Sequence, residues 1–421
     1  MPVLGEYFAQ ACLRVLHGEF ACPANDNTLA LRSKPRTDTE VRSGTTPPYN
    51  WIPRVSPRSY RTVMSSPKYV LLQTSIGDYR QAVLECVRDR LGPSFLALAG
   101  REYFDGTTKT RLQLGANLRI VRNVFVAHRF SFQLGCWRDT LAAEAAILEL
   151  NPRILSVWLL VLIRRILKRR TALWGHSSSR AGPGKSGTVL RDSMCILAGR
   201  VVAYTETEAE RFRGRMPEID VIVAPNALYP RSLIGSSRTL HEPTNIIFVG
   251  RLVQEKKPAL LLEAFALAAA DLPSDVRLVF VGSGPESTNL AARATSLGVA
   301  DRVDFTGHLG GYDALRALYG NAIVAVSPGY VGLSLIQSLS FGVPMLIARD
   351  EPHSPEIEAA QADINSLFFR ENDALDLGEG LRVVCRDRQL WLQRRNLISE
   401  DCAQRYCVEL MANGLLQAFG V

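Results

Sequence analysis

Two basic side chains follow one short apolar run, and a glycine-rich segment follows another. Arg251 and Lys256 come just after NIIFVG, and Gly329 and Gly332 lie in SPGYVGLS, directly before a helical pattern. Glycine lets the backbone approach a ligand closely, and the first turn of a helix offers free N–H groups to an anion. A single such loop would be typical of an ordinary strand-to-helix turn. Together with an arginine and a lysine, the pattern predicts a diphosphate site.

These segments belong to a regular alternation of short apolar runs and helical patterns. The strands predicted in the C-terminal half are NIIFVG, VRLVFVG, RVDFTG, AIVAVS and PMLIA. Strands that alternate with helices in this way predict a doubly wound, Rossmann-like parallel sheet, whose ligands bind at the carboxyl ends of the strands. The chain from about Tyr69 alternates similarly, so the predicted fold class is α/β.

Composition divides the 421 residues into five predicted segments. Residues 1–65 are rich in Pro, Ser, Thr and Arg with little periodicity, which is typical of a disordered extension. Because Met64 directly precedes the first strand pattern, it is an alternative translation start. The remaining segments are a first Rossmann-like domain at 66–225, a turn-rich linker at 226–244, a second Rossmann-like domain at 245–385 and C-terminal helices at 386–421.

The segment NPRILSVWLLVLIRRILKRRTALWGH permits two interpretations. The apolar run 154–163 is too short to span a membrane, and the first interpretation is a core strand that runs into a basic helix. In the second, this helix faces anionic headgroups through Arg164, Arg165, Lys168, Arg169 and Arg170.

The charges are unevenly distributed. Residues 1–240 carry 34 Lys and Arg against 19 Asp and Glu, whereas residues 241–421 carry 15 against 22. Without zinc-finger spacing or aromatic-interleaved basic repeats, the basic half favours an anionic membrane surface over nucleic acid. Eight cysteines without a C-x-x-C pair indicate reduced thiols and no structural zinc. We therefore expect a cytoplasmic protein, peripheral on the inner membrane.

The segment 245–370 resembles the donor domain of retaining GT-B glycosyltransferases of group 1 (family 4), of the bacterial polysaccharide type. The resemblance rests on five segments in the family's order and spacing: GRLVQEKK, VGSGP, DRVDFTGHL, LYGNAIVAVSP and GLSLIQSLSFGVPML. The region 66–225 is similar only through LWGH and VVAYTETEAERF. The resemblance implies two Rossmann-like domains facing a central cleft, and a metal-independent hexosyltransferase that uses no cofactor.

The resemblance also implies roles for individual residues. Arg251 and Lys256 match the pair that grips the donor diphosphate and stabilises it as it leaves. His176 matches the active-site histidine near the donor sugar, although an ordinary loop histidine and the competitors His308 and His353 remain open. The other residues expected in the site are Gly329, Val331, Gly332 and Leu333 for the diphosphate, Gln337 and Gly282 for the nucleoside, and Glu356 as a catalytic carboxylate.

The chain departs from the family at its usual pair of glutamates, which have seven residues between them. These positions are Gly329 and Gln337 here. Gln337 still accepts and donates hydrogen bonds, so it retains the means to contact the ribose. Backbone N–H groups at 329–332 or the carboxylate of Glu356 would serve near the sugar.

The sequence features lead to three hypotheses about function. The first is transfer of a sugar from a UDP- or GDP-linked donor to a lipid-linked or polysaccharide acceptor in bacterial surface glycan synthesis. The second is a catalytically silent pseudo-glycosyltransferase that binds a nucleotide sugar or acts as a scaffold, which the two missing glutamates favour. The third, a nicotinamide-dependent oxidoreductase, lacks G-x-G-x-x-G after the first strand of its domain.

Overall fold

The computed structural model describes residues 66–106, 108–127, 129–177, 185–237 and 241–421, without the side chains of 185 and 186. The predicted disordered extension and the alternative start at Met64 lie outside the described residues. So does most of the glycine- and serine-rich loop after His176. In the described part of the chain, no helix is long and apolar enough to cross a membrane.

The first sheet has seven parallel strands in the order β3-β2-β1-β6-β7-β8-β9. Its strands are β1 (Tyr69–Gln73), β2 (Phe95–Ala99), β3 (Leu118–Ile120), β6 (Ala145–Glu149), β7 (Arg170–Trp174), β8 (Arg200–Ala203) and β9 (Asp220–Val223). A separate antiparallel pair consists of β4 (Arg122–Val126) and β5 (Phe130–Leu134). The helices of this half are α1 (Gln81–Leu91), α2 (Trp137–Ala142), α3 (Leu155–Ile166), α4 (Lys185–Ala198) and α5 (Glu206–Arg215).

The second sheet has six parallel strands in the order β12-β11-β10-β13-β14-β15. Its strands are β10 (Asn245–Val249), β11 (Arg277–Val281), β12 (Val303–Gly307), β13 (Ala322–Ser327), β14 (Met345–Ala348) and β15 (Ser366–Phe369). Its helices are α6 (Pro258–Ala268), α7 (Ser287–Ser296), α8 (Tyr312–Gly320), α9 (Leu333–Ser340), α10 (Ala374–Arg386) and α11 (Arg388–Arg405). The five predicted strands of this half are confirmed, and β15 was missed because its apolar run, at 367–369, is only three residues long.

A further helix, α12 (Val408–Phe419), leaves the second sheet and packs beneath the first. Met411, Leu415 and Phe419 are buried in the same core as residues of β1, β2 and β6. Two arginines that open strands bind the end of this helix: Arg170 donates to the carbonyl of Phe419 at 3.0 Å, and Arg200 donates to that of Ala418 at 3.3 Å. The first core therefore contains chain from both ends of the described sequence.

The prediction of a strand over the apolar run 154–163 is wrong, because this run forms α3. The strand is β6, which ends at Glu149, and the turn at 150–153 separates it from the helix. Ile154, Val157 and Leu160 pack α3 onto the sheet. A twelve-residue helix buries one apolar stripe against the sheet, whereas a strand of that length would exceed its neighbours.

Arg164 does not face a membrane either, because its side chain is fully buried. Its guanidinium donates to the carbonyls of Thr140, Ala143 and Arg170 and, at 2.9 Å, to the hydroxyl of Thr171. Burial lowers the pKa of Arg164 to about 10, so the side chain stays charged at neutral pH. It joins the ends of α2, α3 and β7 by satisfying their carbonyl groups.

Replacing Arg164 with Met should destabilise the protein by about 3 kcal/mol or more, because several buried carbonyl groups would lose their partners at about 1–3 kcal/mol each. Urea unfolding followed by circular dichroism measures the change. The neighbouring exposed Arg165→Met variant is the control and should stay within about 0.5 kcal/mol of the parent. Equal stability of the two variants would contradict the structural role.

Candidate functional site

The strand order of the second sheet reverses between β10 and β13, and this reversal defines a crevice at their carboxyl ends. Four loops meet along this edge of the sheet. They are the segments 250–257 after β10, 282–286 after β11, 328–332 after β13 and 349–356 after β14. The basic and glycine-rich segments singled out in the sequence follow the two strands that flank the crevice.

The loops touch one another through their main chains. A Cβ atom at Gly282, whose φ is +143°, would lie 1.8 Å from the carbonyl oxygen of Gly250. A Cβ atom at Gly329 would lie 2.5 Å from the carbonyl oxygen of Glu255. Both distances are shorter than any real contact, so these glycines are needed for packing. Gly282 and Gly329 shape the site by bringing loops together.

The two cations of the predicted pair differ in their surroundings. Lys256 donates through Nζ to the carbonyl of Tyr330 at 2.7 Å, and the same atom lies 3.5 Å from the centre of the Tyr330 ring. It therefore holds the glycine-rich loop against the loop after β10. The Arg251 side chain is exposed at the carboxyl edge. Lys257, next in sequence, instead pairs with Glu351 and Asn372.

Helix α9 begins at the crevice with Gly332 at its N-cap. In the first turn the N–H groups of Leu333 and Ser334 precede every carbonyl that the helix could offer them, whereas that of Leu335 donates to the carbonyl of Gly332 at 3.0 Å. Val331 does not contribute a free N–H group, because its side chain is fully buried and its N–H donates to Nδ1 of His353 at 3.0 Å. Val331 therefore anchors the loop through this hydrogen bond, and its role toward a diphosphate stays a prediction.

His353 is a structural residue of this site. Its Nδ1 accepts from Val331, so the proton is on Nε2, which donates to the carbonyl of Ala348 at 2.8 Å. Burial lowers the pKa of His353, which favours this neutral form. Because both ring nitrogens are used, His353 is not a competitor for the role of the active-site histidine.

Gln337 lies on α9 between two tyrosines. Its Nε2 donates to the hydroxyl of Tyr229 at 3.1 Å, and the hydroxyl of Tyr319 donates to its Oε1 at 3.3 Å. The amide has a second N–H donor and a second acceptor position, so a ribose contact would not have to replace either hydrogen bond. The nucleoside role of Gln337 stays a prediction.

Glu356 lies in the short 3₁₀ segment Pro355–Ala359, where it is buried against the start of the linker. The side-chain amide of Asn226 donates to one of its oxygens. Two residues on, the carboxylate of Glu358 accepts from the N–H of Thr207 at 2.7 Å, in the first turn of α5. This segment therefore joins the two halves of the chain. The second carboxylate oxygen of Glu356 has no hydrogen-bond partner among the described residues, and the catalytic role of Glu356 stays a prediction.

His176 lies just beyond β7, at the carboxyl edge of the first sheet, and its side chain is 43% exposed. Its Nδ1 is 3.5 Å from Oε1 of Glu208, and its ring lies 4.6 Å from that of Tyr204. Glu208 also accepts from the N–H of Ser177 at 2.9 Å. Burial alone would raise the pKa of Glu208, but the hydrogen bonds and the charge of His176 hold it below its ordinary value.

Glu208 and Tyr204 were missed as site residues, although the sequence carries a signal for the first. Thr205 caps α5 by accepting from the N–H of Glu208 at 3.1 Å. A Thr followed three residues later by Glu is a capping-box pattern, in which the glutamate turns back toward the start of the helix. Here that turn brings its carboxylate to His176.

Comparison with known proteins supports the resemblance. A family profile described as "Glycosyl transferases group 1" matches residues 233–401. A mannosyltransferase of Mycobacterium tuberculosis, GDP-mannose-dependent alpha-(1-6)-phosphatidylinositol dimannoside mannosyltransferase, is 38% identical over 25% of this chain and 28% of its own. An uncharacterized glycosyltransferase of Haemophilus influenzae is 25% identical over 54% of this chain and 65% of its own. These curated relatives are thus matched over less than two thirds of their length.

Solved structures extend the likeness to both sheets. Anabaena Alr3699/HepE, solved in complex with UDP, has a TM-score of 0.65 at 15% identity and covers 84% of this chain and 99% of its own. The lipopolysaccharide outer core galactosyltransferase WaaB gives a TM-score of 0.59 at 13% identity, with 84% and 99% covered. Likeness at this level of identity establishes the fold, and the profile establishes the family of the second half. Residues 233–401 belong to the group 1 glycosyltransferases, and the chain has the GT-B fold with its two Rossmann-like halves.

Proposed function

We propose that this protein transfers a hexose from a nucleoside-diphosphate sugar to a hydroxyl group of a lipid-linked or polysaccharide acceptor, with retention of anomeric configuration. The observation that carries the proposal is the meeting of Arg251, Lys256 and the start of α9 at the crevice between β10 and β13. The relatives support a UDP- or GDP-linked donor: HepE was solved with UDP and with UDP-glucose, and the mycobacterial relative is named for GDP-mannose.

The chemistry follows from charge. When the bond between the sugar and the diphosphate breaks, negative charge builds up on the leaving oxygen. Arg251, Lys256 and the N-terminus of α9 supply positive potential at that point and would stabilise the transition state without a metal ion. Lys256 is already fixed by Tyr330, so little reorganisation is needed.

His176 would act on the sugar from the first sheet. If Nδ1 carries the proton and faces Glu208, Nε2 is left as an acceptor for a sugar hydroxyl. The carboxylate of Glu208 would also stabilise positive charge on the imidazole. Because Gly329 replaces the usual glutamate and one oxygen of the buried Glu356 is bound by Asn226, we propose a step without a covalent intermediate. The acceptor hydroxyl attacks the face of the sugar from which the diphosphate departs, and its proton passes to an oxygen of the leaving diphosphate.

Arg251→Ala and Lys256→Ala should each lower nucleoside-diphosphate release from the cognate donor by about 10²–10³-fold, because each removes a charge that acts on the leaving group. The assay screens UDP-, GDP- and dTDP-sugars without acceptor, and the exposed Arg370→Ala variant is the control. Donor binding without release, even with lipid extracts added, would instead identify a pseudo-glycosyltransferase. With an acceptor, NMR of the product shows whether the anomer is retained.

Restoring the family's glutamate by Gly329→Glu should lower donor affinity and turnover, because a Cβ atom at this position would meet the carbonyl oxygen of Glu255 at 2.5 Å. Gly329→Ala should have nearly the same effect, about tenfold or more, since the first carbon atom causes the clash. Gly235→Ala is the control, because a Cβ atom there meets nothing within 4 Å. Higher activity in the glutamate variant would show that the departure at 329 is a loss of function.

We also propose that the end of α3 binds an anionic membrane surface. Leu162, Ile166 and Leu167 are exposed large apolar residues, and Ile166 is 71% exposed. The exposed cations Arg165, Lys168 and Arg169 lie beside them. Apolar side chains flanked by several cations are complementary to a bilayer with anionic headgroups. These six residues are called the α3 patch.

Removing the charges of Lys168 and Arg169 by substitution with Gln should weaken vesicle binding by roughly 2 kcal/mol, or about thirtyfold, at about 1 kcal/mol per cation. Co-sedimentation with vesicles of phosphatidylglycerol and phosphatidylethanolamine measures this effect. Ile166→Glu should weaken binding as well, while Leu375→Glu, at an equally exposed apolar residue of the second half, should not. Equal binding to neutral phosphatidylcholine vesicles would contradict an electrostatic attachment.

A further inference from the structure

The first sheet has a crevice of its own, because its strand order reverses between β1 and β6. Glu149, the last residue of β6, bridges it by accepting from the N–H of Thr74 at 2.6 Å. Several buried side-chain atoms along this edge have no hydrogen-bond partner among the described residues. They are Nε2 of Gln73, Oγ1 of Thr74, Oγ of Ser75, Oε1 of Gln133, Nε1 of Trp174 and Oγ of Ser177. Unpaired polar atoms concentrated at a crevice indicate a place for a polar ligand.

Arg80 lies in the short 3₁₀ segment Asp78–Arg80 that follows the loop after β1. Its side chain is 94% buried, yet no described carboxylate lies within 4.0 Å of it. The guanidinium lies between aromatic rings, 5.0 Å from the centre of Tyr79, 5.1 Å from Trp174 and 5.5 Å from Tyr204. Its hydrogen bond within the described residues goes from Nη1 to the sulfur of Met411 at 2.9 Å.

Arg80 differs from the other deeply buried arginines in the hydrogen bonds that its guanidinium makes. Arg164 and Arg395 each donate to several backbone carbonyls, as buried cations generally must. A guanidinium has five N–H donors, and a thioether is a weak acceptor. The faces of the aromatic rings around Arg80 stabilise its positive charge without accepting hydrogen bonds from its N–H groups. The side chain is therefore held in place while most of its N–H donors have no partner among the described residues.

The position of Arg80 connects it to the proposed reaction. Tyr204 contacts both Arg80 and His176, with ring-centre distances of 5.5 Å and 4.6 Å. Trp174 lies two residues before His176 on the same strand end. Arg80 thus belongs to the same aromatic layer as the histidine proposed to meet the donor sugar, on the half of the chain left for the acceptor.

We infer that Arg80 binds an oxyanion of the acceptor, a phosphate or a carboxylate close to the hydroxyl that receives the sugar. The inference rests on the proposed transferase function and narrows its acceptor to an anionic one. A planar guanidinium matches two oxygens of either group at once. The donor diphosphate has its own cations on the second sheet, so Arg80 is available to a second anion. Arg80 acts in this scheme as a specificity residue.

The test measures binding of inorganic phosphate to the full chain carrying Arg251→Ala and Lys256→Ala, which removes the donor's cations. In this background, Arg80→Met should weaken phosphate binding at least tenfold by isothermal titration calorimetry. Arg80→Lys keeps the positive charge but loses the planar guanidinium, so its loss of phosphate affinity should be intermediate. This variant also provides the test if the Met variant fails to fold. The exposed Arg211→Met is the matched control and should bind as the parent does.

Two outcomes overturn the inference: no phosphate binding by the parent, or equal binding by the parent and a folded Arg80 variant. Titration with glucuronate in place of phosphate separates the two sources of the oxyanion, since the tighter ligand identifies the group. Phosphate binding requires no turnover, so it is independent of donor hydrolysis by the unmodified chain. Hydrolysis without Arg80-dependent binding refutes the acceptor inference alone, while binding without hydrolysis refutes the proposed transferase.

Discussion

Direct contact between main chains at the carboxyl edge of the second sheet is the constraint on which the rest of the site depends. Neighbouring parallel strands are about 4.8 Å apart, so loops that leave them side by side leave little room for side chains. Gly282, Gly284 and Gly329 meet the carbonyl groups of Gly250, Leu252 and Glu255 at distances that exclude a Cβ atom. The distance between neighbouring strands therefore also fixes the distance between the loops that follow them. The positions of Lys256 and of the start of α9 depend on this distance.

This packing explains how a cationic site exists in the more acidic half of the chain. Residues 241–421 carry more Asp and Glu than Lys and Arg, but many of the acids have partners away from the crevice. Arg277 pairs with Asp304 near the starts of β11 and β12, for instance, whereas Glu351 pairs with Lys257 at the carboxyl edge itself. The local field depends on where the individual charges lie, and net charge does not report this.

Much of the second half could be predicted from the sequence, because its strands are short apolar runs separated by amphipathic helices, and because each glycine of the site lies in a motif of fixed spacing. Features that depend on contacts with residues remote in sequence could not be predicted. No residue near Arg164 in the sequence indicates that its side chain would be buried against three carbonyl groups. The hydrogen bonds of Val331 and Gln337 are made with His353 and Tyr229, which are remote in sequence. The capping pattern of Thr205 and Glu208 was visible, but its approach to His176 was not.

The return of α12 to the first sheet has a consequence for how the chain becomes native. Phe419 packs against the rings of Tyr69 and Phe95, more than 300 positions earlier. The first half therefore keeps an open apolar face until the second half has been made, and contacts of such separation form slowly. During synthesis this exposed apolar face is prone to aggregation unless a chaperone binds it or the helices of the first half collapse loosely over it. Completion of the first core therefore comes late, since the first half becomes well formed only after the second half is present.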